Sequence, residues 1–149
     1  MLVDMNLVLD QVCGFLESEF SRRNIMLERT RVGEVSVTGD KDLLYRAIYN
    51  IISNALQAMD ENGIITVSEH GETDEVRLVF HDNGPGFTPE VMDRVLDPFF
   101  TTKDNGTGLG LPIVNTIISS HGGRLELANH PKGGALITVY LPRLHEDIQ

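Results

Sequence analysis

The sequence predicts an α+β fold, a two-layer sandwich in which helices cover one face of a single sheet. Apolar residues recur at helical spacing in some segments and alternate with polar residues in others. These two kinds of segment interleave along the chain, an order that is typical of α+β proteins. The chain has 149 residues, of which 41% are hydrophobic, enough for one domain with a core of its own but not for two. We therefore expect a single domain over residues 1–149.

The segments follow one another as helix, strands, helix, strands, helix and strands. In chain order we predict a helix over residues 6–23, strands over 25–28 and 34–37 joined by a loop that contains Gly33, a helix over 40–59, a hairpin of strands 64–69 and 75–80, a short helix over 88–95, a helix over 111–120, and a hairpin of strands 124–128 and 136–141.

Local signals mark the ends of the predicted helices. Asp4 or Asn6 can cap the first helix, and Asp40 opens the long one, because short polar side chains accept hydrogen bonds from free N–H groups at a helix start. Asn62-Gly63 ends the long helix. Pro112 is tolerated because it falls in the first turn of its helix.

The charge balance and the cysteine count exclude several classes of function. Twelve Lys and Arg residues against 22 Asp and Glu residues give a formal charge of −10, which argues against a broad basic face for nucleic acid. The single cysteine, Cys13, excludes an intrachain disulfide, and its apolar helical setting favours a packing role. The sequence does not begin like a signal peptide and has no membrane-length apolar run. We expect a soluble, cytoplasmic domain that makes no membrane contact.

Two asparagines on the long helix stand out among Ile and Ala residues. Asn50 and Asn54 are four positions apart, so their carboxamides lie on one face of the helix. Asparagine is a mediocre helix former, which calls for an explanation of the pair. The pair is either a set of satisfied interior amides or a source of neutral oxygen ligands for Mg²⁺.

A second motif, Asp-Asn-Gly-Pro-Gly-Phe at residues 82–87, comes directly after a predicted strand. All of its polar, glycine and proline residues favour an ordinary turn. Alternatively, Asp82 is an acceptor for an amino group such as that of adenine, and Gly84 and Gly86 allow the backbone to approach a flat ring.

A third motif is the long loop over residues 97–110, which begins Asp-Pro-Phe-Phe-Thr-Thr-Lys. Gly106, Gly108 and Gly110 alternate just before a helix, and backbone N–H groups beside a helix start bind anions. Lys103 adds a point charge suited to a terminal phosphate. A flexible linker is the alternative, but Phe99 and Phe100 anchor one end of the loop. The spacing matches neither a P-loop nor a dinucleotide-binding fingerprint.

The order of these motifs closely resembles the ATP-binding catalytic domain of sensor histidine kinases, in the Bergerat-type (GHKL) ATPase superfamily. Asn-x-x-x-Asn, Asp-x-Gly-x-Gly, the Phe-Phe-Thr-Thr-Lys loop and Gly-Thr-Gly-Leu-Gly-Leu are similar to its N, G1, F and G2 boxes. Residues 54–59 and 98–103 resemble the subgroup that includes nitrogen-regulation and sporulation kinases. The resemblance implies a Bergerat fold, with a mixed, mainly antiparallel sheet of about five strands under about three helices.

The resemblance also implies roles for individual residues. Asn50, Asn54 and Lys103 would be catalytic, since Asn54 would bind Mg²⁺ with Asn50 beside it and Lys103 would reach the terminal phosphate. Asp82 would accept from the adenine amino group. The other nucleotide contacts would come from Gly84, Gly86, Phe87, Thr101, Thr102, Gly106, Thr107, Gly108, Leu109 and Gly110. Gln57 departs from many relatives, which carry Lys or Arg there.

The residue at position 50 distinguishes ATP hydrolysis from phosphoryl transfer to a protein. ATP-hydrolysing members of the superfamily carry a Glu there that activates water, whereas Asn50 cannot act as a general base. The chain is therefore expected to hold Mg·ATP for transfer to a histidine rather than to water. The phosphorylated histidine would pass the group to an Asp of a response regulator.

The nucleophile itself is expected to lie outside this chain. Of the five histidines, His81 and His145 precede an acidic residue; His145 lies in the tail, and His81, like His121, is interpreted as structural. The resemblance implies a histidine-bearing dimerisation domain, absent here, in the same full-length protein. The alternatives are a free-standing serine kinase of the anti-sigma type and an ATPase of the topoisomerase kind.

Overall fold

Helices and strands alternate along the part of the chain that the computed structural model describes, residues 1–59, 61–94 and 110–143. In chain order they are β1 (Leu2–Asp4), α1 (Met5–Phe15), α2 (Glu17–Arg22), β2 (Met26–Val32), β3 (Ser36–Thr38), α3 (Lys41–Met59), β4 (Ile64–Gly71), β5 (Glu75–Asp82), α4 (Pro89–Arg94), α5 (Gly110–Ser120), β6 (Arg124–Asn129) and β7 (Ala135–Pro142).

Within the described residues, the main sheet has five strands in the order β2-β4-β5-β7-β6. Strand β2 runs parallel to β4, and all other neighbours are antiparallel. Both predicted hairpins are confirmed, because β4 pairs with β5 and β6 pairs with β7. The predicted α+β sandwich with a mixed, mainly antiparallel sheet is confirmed.

A second, two-stranded sheet corrects the prediction of a single sheet. Strand β3 pairs with β1, with Val3 opposite Val37. The backbone N–H of Met5 donates to Val35 O at 3.0 Å beside this pair. Strand β1 was not predicted, because three residues show too little alternation to be distinguished from the start of a helix.

The first predicted helix, over 6–23, is also corrected, because it is divided into α1 and α2 at Leu16. Leu16 has φ −94° and ψ 5°, outside the helical range, yet its side chain is buried, as is that of Phe20. The change of direction at Leu16 lets both side chains reach the core. Asp4 caps α1 by accepting from the Asn6 N–H at 2.9 Å.

The long helix α3 confirms the predicted start. Asp40 Oδ1 accepts from the N–H groups of Asp42 and Leu43 at 3.0 and 3.1 Å, which satisfies two of the free donors of the first turn. Asn62 follows the helix with φ 60°, a left-handed conformation that asparagine tolerates. None of the described helices combines the length and apolar character needed to cross a membrane.

The core lies between one face of the main sheet and the layer of helices. Helix α3 packs between α1 and α5. Burial alternates along β5, where Val76, Leu78 and Phe80 are buried and their neighbours are partly exposed. Asp82 is the next residue in this series, so it faces the helices although it is charged.

A buried polar cluster lies beneath α1 and was not predicted from the sequence. Glu69, on the core face of β4, is only 1% exposed. It accepts from Arg29 Nη2 at 3.1 Å and from Asn6 Nδ2 at 3.2 Å, and Arg29 Nη1 also donates to Asp10 at 2.7 Å. Burial raises the pKa of the nearby Cys13 thiol and keeps it protonated, which agrees with its predicted packing role.

Candidate functional site

Asp82 lies at the end of β5 with its carboxylate under the helix layer, 6% exposed. Its Oδ1 accepts from the backbone N–H of Gly84 at 2.9 Å and from that of Ala135 at 3.2 Å. Within the described residues both of these hydrogen bonds go to the same oxygen. Oδ2 is therefore available to a ligand, as the predicted acceptor for an adenine amino group requires.

Gly84 and Gly86 bring the backbone after β5 into close contact with other elements. A Cβ at Gly84 would lie 3.0 Å from Met59 Cγ, at the end of α3, and 3.2 Å from Asp82 Oδ1. Gly86 has φ +80°, which favours glycine, and a Cβ there would lie 2.7 Å from Asn129 Oδ1. Phe87 packs against the core at its edge. These residues hold the backbone after β5 against α3 and β6, beside the carboxylate of Asp82.

The predicted metal ligands Asn50 and Asn54 lie on one face of α3, both half-buried. No hydrogen bond joins either carboxamide to another described residue, which does not support the interpretation as satisfied interior amides. A Cβ at Gly110 would lie 3.0 Å from Asn54 Nδ2 and 3.3 Å from its Oδ1. Asn54 therefore lies directly against the first residue of α5.

The chemistry of this donor set fits Mg²⁺. A carboxamide oxygen is a neutral, hard donor, and Mg²⁺ is commonly held by few protein oxygens together with water and phosphate. Among the described residues, His, Cys, Asp and Glu nowhere gather in a group of three that could hold a metal by themselves. The Asn54 oxygen would thus supply one ligand to an ion that takes others from water and phosphate.

The structure brings together the adenine side and the metal side of the predicted site. Met59 and Asn54 are both on α3, where Met59 contacts Gly84 and Asn54 contacts Gly110. The remaining predicted residues lie outside the described part of the chain; they are Thr101, Thr102, Lys103, Gly106, Thr107, Gly108 and Leu109, together with Phe99 and Phe100 of the same loop.

The hairpin of β6 and β7 contributes contacts to Asp82 and Phe87 that the sequence did not indicate. Asn129 ends β6 and exchanges two hydrogen bonds with the backbone of Phe87, at 2.7 and 2.8 Å. Gly134, with φ +92°, lies against the backbone carbonyl of Asp82. The Gly133-Gly134 pair signals a turn, but no local pattern shows what a turn packs against.

The two histidines interpreted as structural hold elements in place. His81 stacks on His130 with ring centroids 4.2 Å apart, and its Nε2 lies 3.1 Å from Gly133 O. His121 joins two helices, because its Nε2 accepts from the Asp40 N–H at 3.0 Å and its Nδ1 lies 2.8 Å from Ile117 O. The second contact requires a proton on Nδ1, since a carbonyl only accepts.

Comparison with known proteins places this chain in a family. The model of the histidine kinase-, DNA gyrase B- and HSP90-like ATPase family matches residues 39–145. The chain therefore belongs to this family of ATP-binding domains, and it is of the sensor histidine kinase type.

Individual relatives agree with this assignment. Sensor histidine kinase ZraS of Escherichia coli (strain K12) is 31% identical over 141 residues, which are 94% of this chain and 30% of ZraS. Sporulation kinase C of Bacillus subtilis (strain 168) is 31% identical over 140 residues, 93% of this chain and 33% of that kinase. The chain thus spans about a third of the length of these curated relatives.

Solved structures show the same fold. The catalytic domain of histidine kinase ThkA superposes with a TM-score of 0.89 at 29% identity, covering 96% of this chain and 97% of that domain. ThkA has also been solved in complex with the response regulator TrrA, where the match has a TM-score of 0.83 at 26% identity and covers 97% of this chain and 42% of that one.

Proposed function

We propose that this chain binds Mg·ATP between α3, the end of β5 and the start of α5 and presents its γ-phosphoryl group to a histidine on a separate dimerisation domain. The observation that carries the proposal is a pair of polar groups, one on each side of this region, that have no hydrogen bond to another described residue. Among these residues, neither Asp82 Oδ2, beside Gly84, nor the Asn54 carboxamide, against Gly110, has a partner. The first suits the amino group of adenine and the second suits a metal bound to phosphates.

The residues of the chain would act by positioning and by charge. Asp82 fixes the purine, and its own orientation is fixed by two backbone N–H groups. Bound Mg²⁺ would supply neutralisation of phosphate charge beside Asn54, with Lys103 predicted to reach the terminal phosphate. The chain carries a formal charge of −10, so local positive groups and backbone amides must offset repulsion of a polyanion.

In the proposed transfer, a histidine nitrogen forms a bond to the γ-phosphorus and the bond from that phosphorus to the bridging oxygen breaks. ADP leaves with the electron pair of the broken bond. The phosphoryl group then passes to an aspartate of a response regulator. Asn50 supports transfer to a protein nucleophile, because its carboxamide cannot remove a proton from water as a carboxylate can.

Nucleotide binding by the purified chain tests the site directly. We expect calorimetry to show binding of ATP and ADP, strengthened by Mg²⁺, without incorporation of label from γ-labelled ATP into the chain. Asn54→Ala should reduce the affinity measured with Mg²⁺ by about tenfold, which is ~1.4 kcal/mol, and change the metal-free affinity much less. Gln11→Ala, which removes an exposed carboxamide on α1, is the control and should change neither. An equal loss with and without Mg²⁺ would contradict the metal role of Asn54.

Phosphotransfer is tested with a chimera in which this chain replaces the catalytic domain of ThkA. We expect γ-labelled ATP to label the ThkA portion on histidine, giving an acid-labile product. If the chimera binds ATP but stays unlabelled, the kinase proposal is wrong. Steady phosphate release by the isolated chain would instead support the hydrolase alternative, and transfer to serine of an added protein would support the anti-sigma alternative.

A further inference from the structure

The β6–β7 hairpin approaches the loop after β5 through one side chain. Asn129 Oδ1 accepts from the backbone N–H of Phe87 at 2.7 Å, and Asn129 Nδ2 donates to the Phe87 carbonyl at 2.8 Å. The carboxamide thus satisfies both backbone groups of one residue, as a neighbouring strand would. Both distances are at the short end of the range for N–H···O hydrogen bonds.

The surroundings show that this contact shapes the loop. Gly86 adopts φ +80°, and a Cβ there would lie 2.7 Å from Asn129 Oδ1. Only glycine, which has no side chain, lets the backbone come this close to Asn129. The loop between Asp82 and Phe87 is held at its far end by Asn129 and at its near end by the Gly84 N–H bond to Asp82.

The same hairpin also fixes the carboxylate that faces the purine. The N–H of Ala135 donates to Asp82 Oδ1, and Gly134 lies against the Asp82 carbonyl. His81 Nε2 reaches Gly133 O at 3.1 Å and so supports the turn from the sheet. Asp82 and its loop are consequently held by a hairpin that lies outside all four sequence motifs.

Asn129 is itself exposed, which distinguishes it from a core residue. Its truncation leaves no buried cavity, and the two backbone groups of Phe87 that it frees are accessible to water. A purely structural role would therefore cost little stability and would leave ligand affinity unchanged. A role in positioning would instead appear in nucleotide recognition.

We infer that Asn129 is a positioning residue for the purine, holding the loop of residues 84–87 so that Asp82 discriminates adenine from guanine. The inference rests on the proposed nucleotide site. Asn129 acts through its hydrogen bonds to Phe87 and its close approach to Gly86. Its effect should fall on purine affinity and selectivity rather than on the dependence of binding on Mg²⁺.

Calorimetry of the purified chain with ADP and GDP, with and without Mg²⁺, tests this role. We expect Asn129→Ala to weaken ADP binding about tenfold, to reduce the ADP-to-GDP preference several-fold, and to leave the Mg²⁺ enhancement unchanged. Hydrogen exchange at the Phe87 amide should become faster. Glu126→Ala is the matched control on β6, because it removes the side-chain hydrogen bond that Glu126 accepts from Tyr140 on β7, without touching Phe87 or Asp82.

The outcomes separate this inference from the proposed function. If the wild-type chain binds no nucleotide, the proposed site itself is wrong. If the wild type binds ADP and Asn129→Ala binds it with the same affinity and selectivity, only the role of Asn129 is overturned. A loss of affinity that Glu126→Ala reproduces would also overturn it, since the effect would then follow from general loosening of the hairpin.

Discussion

The carboxylate of Asp82 divides its two oxygens between the protein and the expected ligand. Oδ1 accepts from two backbone N–H groups, and Oδ2, without a partner among the described residues, is proposed to face the ligand. The strand explains the placement, because Asp82 continues the series of core-facing residues on β5. A turn aspartate without the second hydrogen bond, from Ala135, would be free to rotate away.

Asp82→Asn should separate the hydrogen bonds that Asp82 accepts within the protein from its proposed contact with the ligand. In the orientation that keeps both backbone hydrogen bonds, the amide places an NH₂ donor where Oδ2 stands, opposite the donor of adenine. We expect ADP affinity to fall by at least about tenfold, or ~1.4 kcal/mol, with little change in the melting temperature. Calorimetry and thermal unfolding measure the two effects. Asp42→Asn removes the same charge at an exposed site on α3 and should alter neither; unchanged ADP binding in Asp82→Asn would refute the adenine contact.

Between elements, α3 contacts α5 where the start of α5 lies against Asn54, the proposed metal ligand. Gly110 lies against Asn54, so Gly110→Ala places a methyl group 3.0 Å from Asn54 Nδ2. We expect this variant to weaken Mg·ATP binding about tenfold, because the carboxamide must move. Its stability should not fall, since alanine is the better helix former.

Gly14→Ala on α1 is the matched control for Gly110→Ala. A Cβ at Gly14 meets nothing within 4 Å, so the same substitution should stabilise the domain by up to about 1 kcal/mol and leave binding intact. Urea unfolding and calorimetry on both variants make the comparison. Equal nucleotide affinity in the two variants would show that Asn54 has no role in binding Mg·ATP.

The buried cluster of Glu69 and Arg29 links α1, β2 and β4. The side chain of Glu69 is 1% exposed and that of Arg29 is 21% exposed. Burial alone would lower the pKa of Arg29, but its hydrogen bonds to Asp10 and Glu69 outweigh this and raise it. Arg29 is thus charged, and among the described residues it is the cation that pairs with Glu69.

We expect Arg29→Met to destabilise the domain by about 3–5 kcal/mol, because it leaves the Glu69 carboxylate buried with Asn6 as its one remaining partner among the described residues. The double variant Arg29→Met with Glu69→Leu should recover most of this loss, since apolar residues of similar size replace the pair well. Urea unfolding of both variants measures the recovery. A double variant no more stable than the single one would show that the ion pair itself is needed.

At the scale of the whole molecule, the sequence predicts those features that local patterns determine. Helix α3, both hairpins and the placement of Asp82 at a strand end follow from periodicity and turn residues. The pairing of β1 with β3 does not, because strands of three residues carry almost no pattern. The contacts of Asn129 with Phe87 and of Glu69 with Arg29 do not either, since each joins residues that are distant in sequence and depends on the packed fold.

The candidate site draws on segments from across the chain, which ties ligand binding to the stability of the whole domain. A nucleotide at 100-fold excess over its Kd should stabilise the folded state by ~2.7 kcal/mol. For a domain of this size that corresponds to a rise in melting temperature of roughly 5–10 °C. Scanning calorimetry should show one transition that moves as a unit. Two transitions, of which only one moves, would contradict a single cooperative core.

The parallel pairing of β2 with β4 bears on the order in which the chain folds. The β4–β5 and β6–β7 hairpins pair strands that are neighbours in the sequence. Strands β2 and β4, in contrast, are separated in the sequence by β3 and α3. Closing this long loop costs more chain entropy than closing a hairpin, and the cost comes before the contacts between β2 and β4 stabilise the pairing. Strand β2 is therefore expected to dock late in folding, and with it the Arg29 that neutralises Glu69. Until β2 docks, the β4–β5 hairpin carries the Glu69 carboxylate without its Arg29 partner, on the face where the core will form.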